Sequence, residues 1–195
     1  MITVRPRASD SEGVGGHRTR VSILALAIAL TLLSVFTAGA GATAKPVRTL
    51  AAADQLEGQV LVELNRIRRQ HGLTPVRLSR PLSTAADTHS RAMGTYGFFE
   101  HESRDGSEFW KRVQRFYSPD GYQSWSVGEN LLWSSGGLSG VAALKLWMNS
   151  PGHRKNILTA RWREIGLSAL QVRAAPGVYG GRDVVIITTD FGVRS

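Results

Sequence analysis

The apolar residues of Asp54-Gln-Leu-Glu-Gly-Gln-Val-Leu-Val-Glu-Leu-Asn-Arg-Ile67 recur at Leu56, Val60, Leu64 and Ile67, the spacing of one helical face, with Leu61 and Val62 widening the stripe. Asp54 stands at an N-cap position with Glu57 three residues on, and Gly72 supplies a stop, so the first helix is predicted to start at Asp54. Pro75, Val76 and Leu78 make a short extended link. A second helix follows from Ser79, with Leu82, Ala85, Ala86, His89, Ala92, Met93 and Tyr96 on one side and Gly97 closing it. Glu108 to Phe116 suggests a short helix, and Ser118-Pro-Asp-Gly121 a turn. Leu138 to Met148 carries Val141, Leu144, Leu146 and Trp147 and predicts a third strong helix. The pattern then changes. Ile165–Val172 and Val184–Thr189 are β-rich and separated by a Gly/Pro turn region, which predicts an antiparallel pair. Helices early and strands late indicate an α+β domain, a layered αβα sandwich rather than a wound parallel sheet.

The N-terminus has a different pattern. Val21 to Ala44 carries no charge, its apolar centre runs from Ile23 to Phe36, and Arg18 and Arg20 precede it, which reads as an export signal. Ala38-Gly-Ala40 and Ala42-Thr-Ala44 offer small side chains for a signal peptidase, so cleavage after Ala40 or Ala44 is expected. The rival reading is an uncleaved anchor, because a bilayer needs ~20 residues. Residues 1–44 are therefore assigned as export signal, 45–53 as linker and 54–195 as one domain, expected to be secreted or extracytoplasmic.

Composition narrows the chemistry. With no cysteine among 195 residues, disulfides, thiolate metal sites, Fe–S clusters and a cysteine nucleophile are excluded together. An exported domain of this kind relies on its core rather than on covalent staples. The formal charge is +9, but it is spread out. Arg66, Arg68 and Arg69 form the densest cluster, and no basic run interleaved with aromatics occurs, so no nucleic-acid partner is expected. Polyanionic envelope material suits the charge equally well.

Three polar residues have neighbours unlike those of a plain surface. His101 follows Gly97-Phe-Phe-Glu100 and precedes a turn, Glu129 sits between Val127 and Leu131-Leu-Trp133, and His153 follows the helix that ends at Pro151-Gly152. Two imidazoles and a carboxylate brought together could bind a divalent cation or fix one histidine in a chosen tautomer. No His-Glu-x-x-His helix is present. From spacing alone the trio reads either as a shared site or as three independently hydrogen-bonded loop residues. His89, on an apolar helix side, reads as a core histidine, and His71 as a complement to a helix dipole. Arg154 and Asn156 read as fastening the loop that follows the third helix, Trp133 and Trp147 as core, and Trp125 as an exposed contact.

The wording of these segments adds a resemblance. Leu64-Asn-Arg-Ile-Arg-Arg-Gln-His-Gly-Leu-Thr-Pro-Val76, Ser90-Arg-Ala-Met-Gly-Thr-Tyr-Gly-Phe-Phe-Glu-His101, Val127-Gly-Glu-Asn-Leu131 and Leu146-Trp-Met-Asn-Ser-Pro-Gly-His-Arg-Lys-Asn-Ile-Leu158 occur in order, and Glu164-Ile-Gly-Leu-Ser-Ala-Leu170 and Thr188-Thr-Asp-Phe-Gly192 continue the series. Together they resemble the bacterial branch of the CAP superfamily, the SCP-like extracellular domain. The resemblance implies an αβα sandwich with a central, mainly antiparallel sheet and a cleft in which His101, Glu129 and His153 meet. It also implies an extracellular ligand, such as a lipid, a small molecule or cell-wall material, and a divalent cation such as Zn²⁺ on His101 and His153 as the one expected cofactor. The alternative it leaves open is a metal-assisted extracellular hydrolase using the same three residues. Many eukaryotic members carry a further cleft glutamate just after a tryptophan, on the helix preceding the second histidine, where this chain has Trp147-Met-Asn-Ser150, so the full tetrad is absent in that form.

Overall fold

The computed structural model describes residues 50–195, with side chains from residue 54 onward. The export signal and the first part of the linker lie outside the described residues. The chain forms α1 (Leu50–Gln70), β1 (Arg77–Leu78), α2 (Arg80–Tyr96), α3 (Phe109–Gln114), β2 (Trp125–Ser135), α4 (Gly140–Asn149), α5 (Pro151–Ile157), β3 (Glu164–Ala175) and β4 (Arg182–Arg194). The sheet order is β1-β3-β4-β2, in which β1 runs parallel to β3 and the other two pairings are antiparallel. Helices cover both faces, so the architecture is the αβα sandwich expected.

Alternation along β4 assigns its side chains to the two faces. Val185, Ile187 and Phe191 join Leu56, Val60, Leu64 and Ile67 of α1 and Ala143, Leu144 and Trp147 of α4 in one apolar core. Val184 and Ile186 point the other way, to Met93 of α2, Leu131 and Leu170. A third cluster, Leu82, Ala85, Val113, Tyr117 and Val127, lies where α2 and α3 meet the end of β2. The approach of α2 to the sheet depends on glycine, because a Cβ on Gly166 would lie 2.1 Å from the carbonyl carbon of Leu82.

Several local expectations change. The first helix begins at Leu50 rather than Asp54, taking in residues 50–53 of the assigned linker, because Ala51-Ala-Ala53 are strong helix formers. Glu57 is therefore not an N-terminal cap; its Oε1 accepts from the Ala169 N–H of β3 at 2.9 Å. Val62, Val141 and Leu146 are exposed, since the core-facing positions of their helices are Leu56, Val60, Leu64 and Ile67 in α1 and Gly140, Ala143, Leu144 and Trp147 in α4. Tyr96, at the end of α2, is also exposed and stacks beneath the Arg104 guanidinium at 4.0 Å. The segment after Pro151 is the helix α5 rather than a loop. Gly97 closes α2 in the left-handed conformation, as expected.

Candidate functional site

Glu129 is the centre of the site. It lies mid-strand in β2, which exposes an edge because β2 pairs on one side only, with β4. Its side chain is 1% exposed, and both carboxylate oxygens are held. Oε1 accepts from Nδ1–H of His101 at 2.8 Å, and Oε2 accepts from Arg112 Nη2–H. Burial by itself raises the Glu129 pKa, but the His101 hydrogen bond and the Arg112 charge outweigh it and hold the group below the ordinary glutamate value. Glu129 is a carboxylate under all near-neutral conditions.

The loop after α2 brings His101 to this oxygen. Arg112, on the short helix α3, donates from Nη1 to the His101 carbonyl at 3.3 Å and to Ser103 Oγ at 3.1 Å, so one guanidinium ties the loop and the carboxylate together. His89 anchors the same loop from beneath, with Nε2–H donating to the Glu100 carbonyl at 2.8 Å. Burial, more than any neighbouring charge, lowers the His89 pKa to about 4, so it is a neutral core histidine, as its position in the helix predicted.

His101 differs from these partners in exposure, its side chain being 48% exposed. A carboxylate can only accept, so Nδ1 must carry the proton, and Nε2 of the neutral ring is left as a bare lone pair on a half-exposed side chain. The Phe109 ring flanks it, with centroids 6.4 Å apart.

His153 is half-buried on the first turns of α5. Asn130 Nδ2 donates to its carbonyl at 3.2 Å, and Asn156 Nδ2 donates to both the Glu129 carbonyl and Asn130 Oδ1 at 2.9 Å. These amides fasten α5 to β2, the fastening role expected of Asn156. Arg154 is exposed and takes no part in it. Burial and then the charge of His101 lower the His153 pKa, so the two imidazoles share an electrostatic environment. No hydrogen bond joins His153 to His101 or Glu129. The structure thus makes a tight pair of His101 and Glu129, with His153 as a neighbour.

Among the described residues, no group of three or more His, Asp or Glu side chains is placed to hold an ion. Glu129 spends both oxygens on His101 and Arg112, and a guanidinium beside it repels a cation. Two imidazoles are left, and that is not a closed site. The residues do not fit a resident metal.

Sequence reasoning missed two members of the network. Arg112 sits in an otherwise plain Trp110-Lys-Arg-Val113 helix and gave no signal. Asp190 lies directly across from Glu129 in the β2–β4 ladder and is fully buried. Its signal was present: an acid interrupting Val184-Val-Ile-Ile-Thr-Thr189, as Glu129 interrupts an apolar strand.

Comparison with known proteins gives the family. Residues 61–184 match the model of the CAP, cysteine-rich secretory protein, family. The chain belongs to this family. Its CAP domain is 30% identical over 136 residues to an uncharacterized protein of Bacillus subtilis, YkwD, covering 68% of this chain and 51% of that one. An uncharacterized membrane protein of the same organism, YlbC, is 30% identical over 112 residues, covering 57% of this chain and 30% of that one. The chain thus spans about half the length or less of these relatives. Among solved structures, an extracellular SCP-domain protein of Bacillus anthracis aligns with a TM-score of 0.55 and 29% identity, over 71% of this chain and 40% of that one. An outer surface protein of Borrelia burgdorferi aligns with a TM-score of 0.55 and 19% identity, over 70% and 90% of the two chains, and shows the fold alone.

Proposed function

We propose that this CAP-domain protein works outside the cytoplasm as a binding protein, whose cleft takes an extracellular ligand through His101. The supporting observation is the division between Glu129, 1% exposed and held at both oxygens, and His101, 48% exposed with only Nδ1 engaged by Glu129. A buried carboxylate that fixes the tautomer of an accessible imidazole presents one oriented acceptor, and the flanking Phe109 adds apolar surface. That combination suits a lipid, small molecule or cell-envelope fragment bearing a hydroxyl or amide donor. The extracytoplasmic setting draws on the apolar N-terminal segment and on the extracellular and surface proteins of like fold. Among the described residues no helix is long and apolar enough to cross a membrane.

The test is mass spectrometry of lipids and wall fragments that copurify with the protein, compared with His101→Ala. A ligand retained by the parent and lost from the variant supports the reading, and equal retention removes it.

The same pair supports one second reading, a hydrolase whose base is His101. Glu129 is unsuited to that role, because its two oxygens already accept strong hydrogen bonds. Release of soluble fragments from peptidoglycan by the parent, abolished in His101→Gln, would establish this reading in place of simple binding.

A further inference from the structure

Glu129 is surrounded by more than the two donors already described. The β2–β4 register sets Asp190 opposite Glu129, so both side chains leave the sheet on the same face, about 5 Å apart at Cβ. That face is the one covered by α2 and α3. Thr188, two residues earlier on β4, meets Ser90 of α2 there at 2.8 Å. Asp190 is 0% exposed, and among the described residues neither Oδ1 nor Oδ2 has a hydrogen-bond donor. Arg112 gives its Nη2–H to Glu129 instead. The titratable groups facing this pocket are Glu129 from β2, Arg112 from α3, His89 from α2 and His101 from the loop between α2 and α3.

Two carboxylates cannot both ionise here. One guanidinium compensates one negative charge, and Glu129 is the group it touches. A second charge on Asp190 would be buried, unpaired and adjacent to a like charge, which is the most costly arrangement open to a carboxyl group.

We propose that Asp190 is a positioning residue of the site, held as the neutral acid, whose carboxyl O–H donates to Glu129 and so completes a ring of three donors around that carboxylate. The consequence reaches the surface. Glu129 is then fixed in orientation and weakened as a base, and the proton stays on His101 Nδ1. His101 Nε2 is left as the one reactive lone pair of the pair. Asp190 occupies a different position from the missing cleft glutamate and is turned inward, so it adds control of protonation rather than a ligand. Burial first, and then the Glu129 charge, push the Asp190 acid well above the ordinary aspartate value, in the same direction.

The inference rests on His101 and Glu129 being the working pair, yet it is testable without any ligand, so its failure and the failure of the binding reading are separable. The experiment is carboxyl ¹³C NMR of the full chain, with Asp190 assigned from Asp190→Asn. The expected result is an Asp190 carbon at the neutral-acid shift at about pH 7, while Glu129 shows the ionised shift. An ionised Asp190 carbon at that pH overturns the proposal. Two variants add a readout that a purely structural role would not move. Asp190→Asn keeps an N–H donor and should keep the Glu129 shift and the Nδ1–H tautomer of His101, whereas Asp190→Val should shift the first and mix the second. Folded Asn and Val variants with identical Glu129 and His101 signals would also overturn the proposal. If the Val variant does not fold, the parent spectrum decides alone.

Discussion

The two faces of the sheet solve burial differently. Under α1 and α4 the interior is mostly hydrocarbon, from Leu56 and Leu64 through Trp147 to Phe191, with Arg68 and Asn130 buried at its edge. Under α2 and α3 apolar clusters around Met93 and Leu82 flank a buried polar group made of Glu129, Asp190 and Thr188 from the strands and Arg112, His89 and Ser90 from the helices. The first face gains stability in proportion to apolar area removed from water. The second has to pair or neutralise every polar group it buries, and gains in return a carboxylate whose charge is delivered to one exposed imidazole. The polar group that carries the site is thus confined to one side of the four-stranded sheet, between two apolar clusters of that side.

The largest effects separate the two faces by mechanism. Arg112→Met leaves Glu129 buried without its cation and should cost about 3–5 kcal/mol in urea unfolding at neutral pH. Trp147→Ala, on the hydrocarbon face, should cost about 3–5 kcal/mol through a cavity. Only the Arg112 loss should shrink as the pH falls and Glu129 becomes protonated, so a loss equally insensitive to pH in both would erase the contrast.

The next effect is the acid response. His89 has a folded pKa of about 4 against the ordinary 6.5 of the unfolded chain, so its contribution is present above 6.5 and lost as the pH falls to 4. The depression corresponds to about 3 kcal/mol. Asp190 acts with the opposite sign, its raised pKa favouring the fold at low pH and opposing it as the pH rises. The His89 part is read as the stability difference between the parent and His89→Gln across this window, expected to narrow toward low pH. A constant difference would show that His89 does not titrate there.

Smaller effects lie at the border between the faces. Asn156→Ala removes the amide that bonds the Glu129 carbonyl and Asn130 Oδ1, and should cost about 1–3 kcal/mol. His101→Ala removes one donor from the buried Glu129 carboxylate and should cost about 1–3 kcal/mol while abolishing ligand retention. No stability loss there would show that His101 does not hold Glu129.

How legible these features were in the sequence follows from the same contrast. The hydrocarbon face was readable because Leu56, Val60, Leu64 and Ile67 repeat at a helical period, and β3 and β4 because β-branched residues are concentrated there. The strand β2 was not identified, since Gly128-Glu-Asn130 breaks the apolar alternation at the point where function requires polar groups. The ordered motifs marked His101, Glu129 and His153, but no local pattern could show that Glu129 bonds His101 and leaves His153 aside. Those pairings depend on Arg112 and on the β2–β4 register, which are tertiary facts. Asp190 was visible as an acid in an apolar strand, yet its meaning came only from the residue opposite.

The central claim is that buried Glu129 fixes His101 with its proton on Nδ1 and its lone pair on Nε2. Imidazole ¹⁵N NMR of the metal-free protein with its imidazoles neutral reads this directly. His101 is expected to show a protonated Nδ1 and a bare Nε2, and a predominant Nε2–H tautomer would overturn this arrangement.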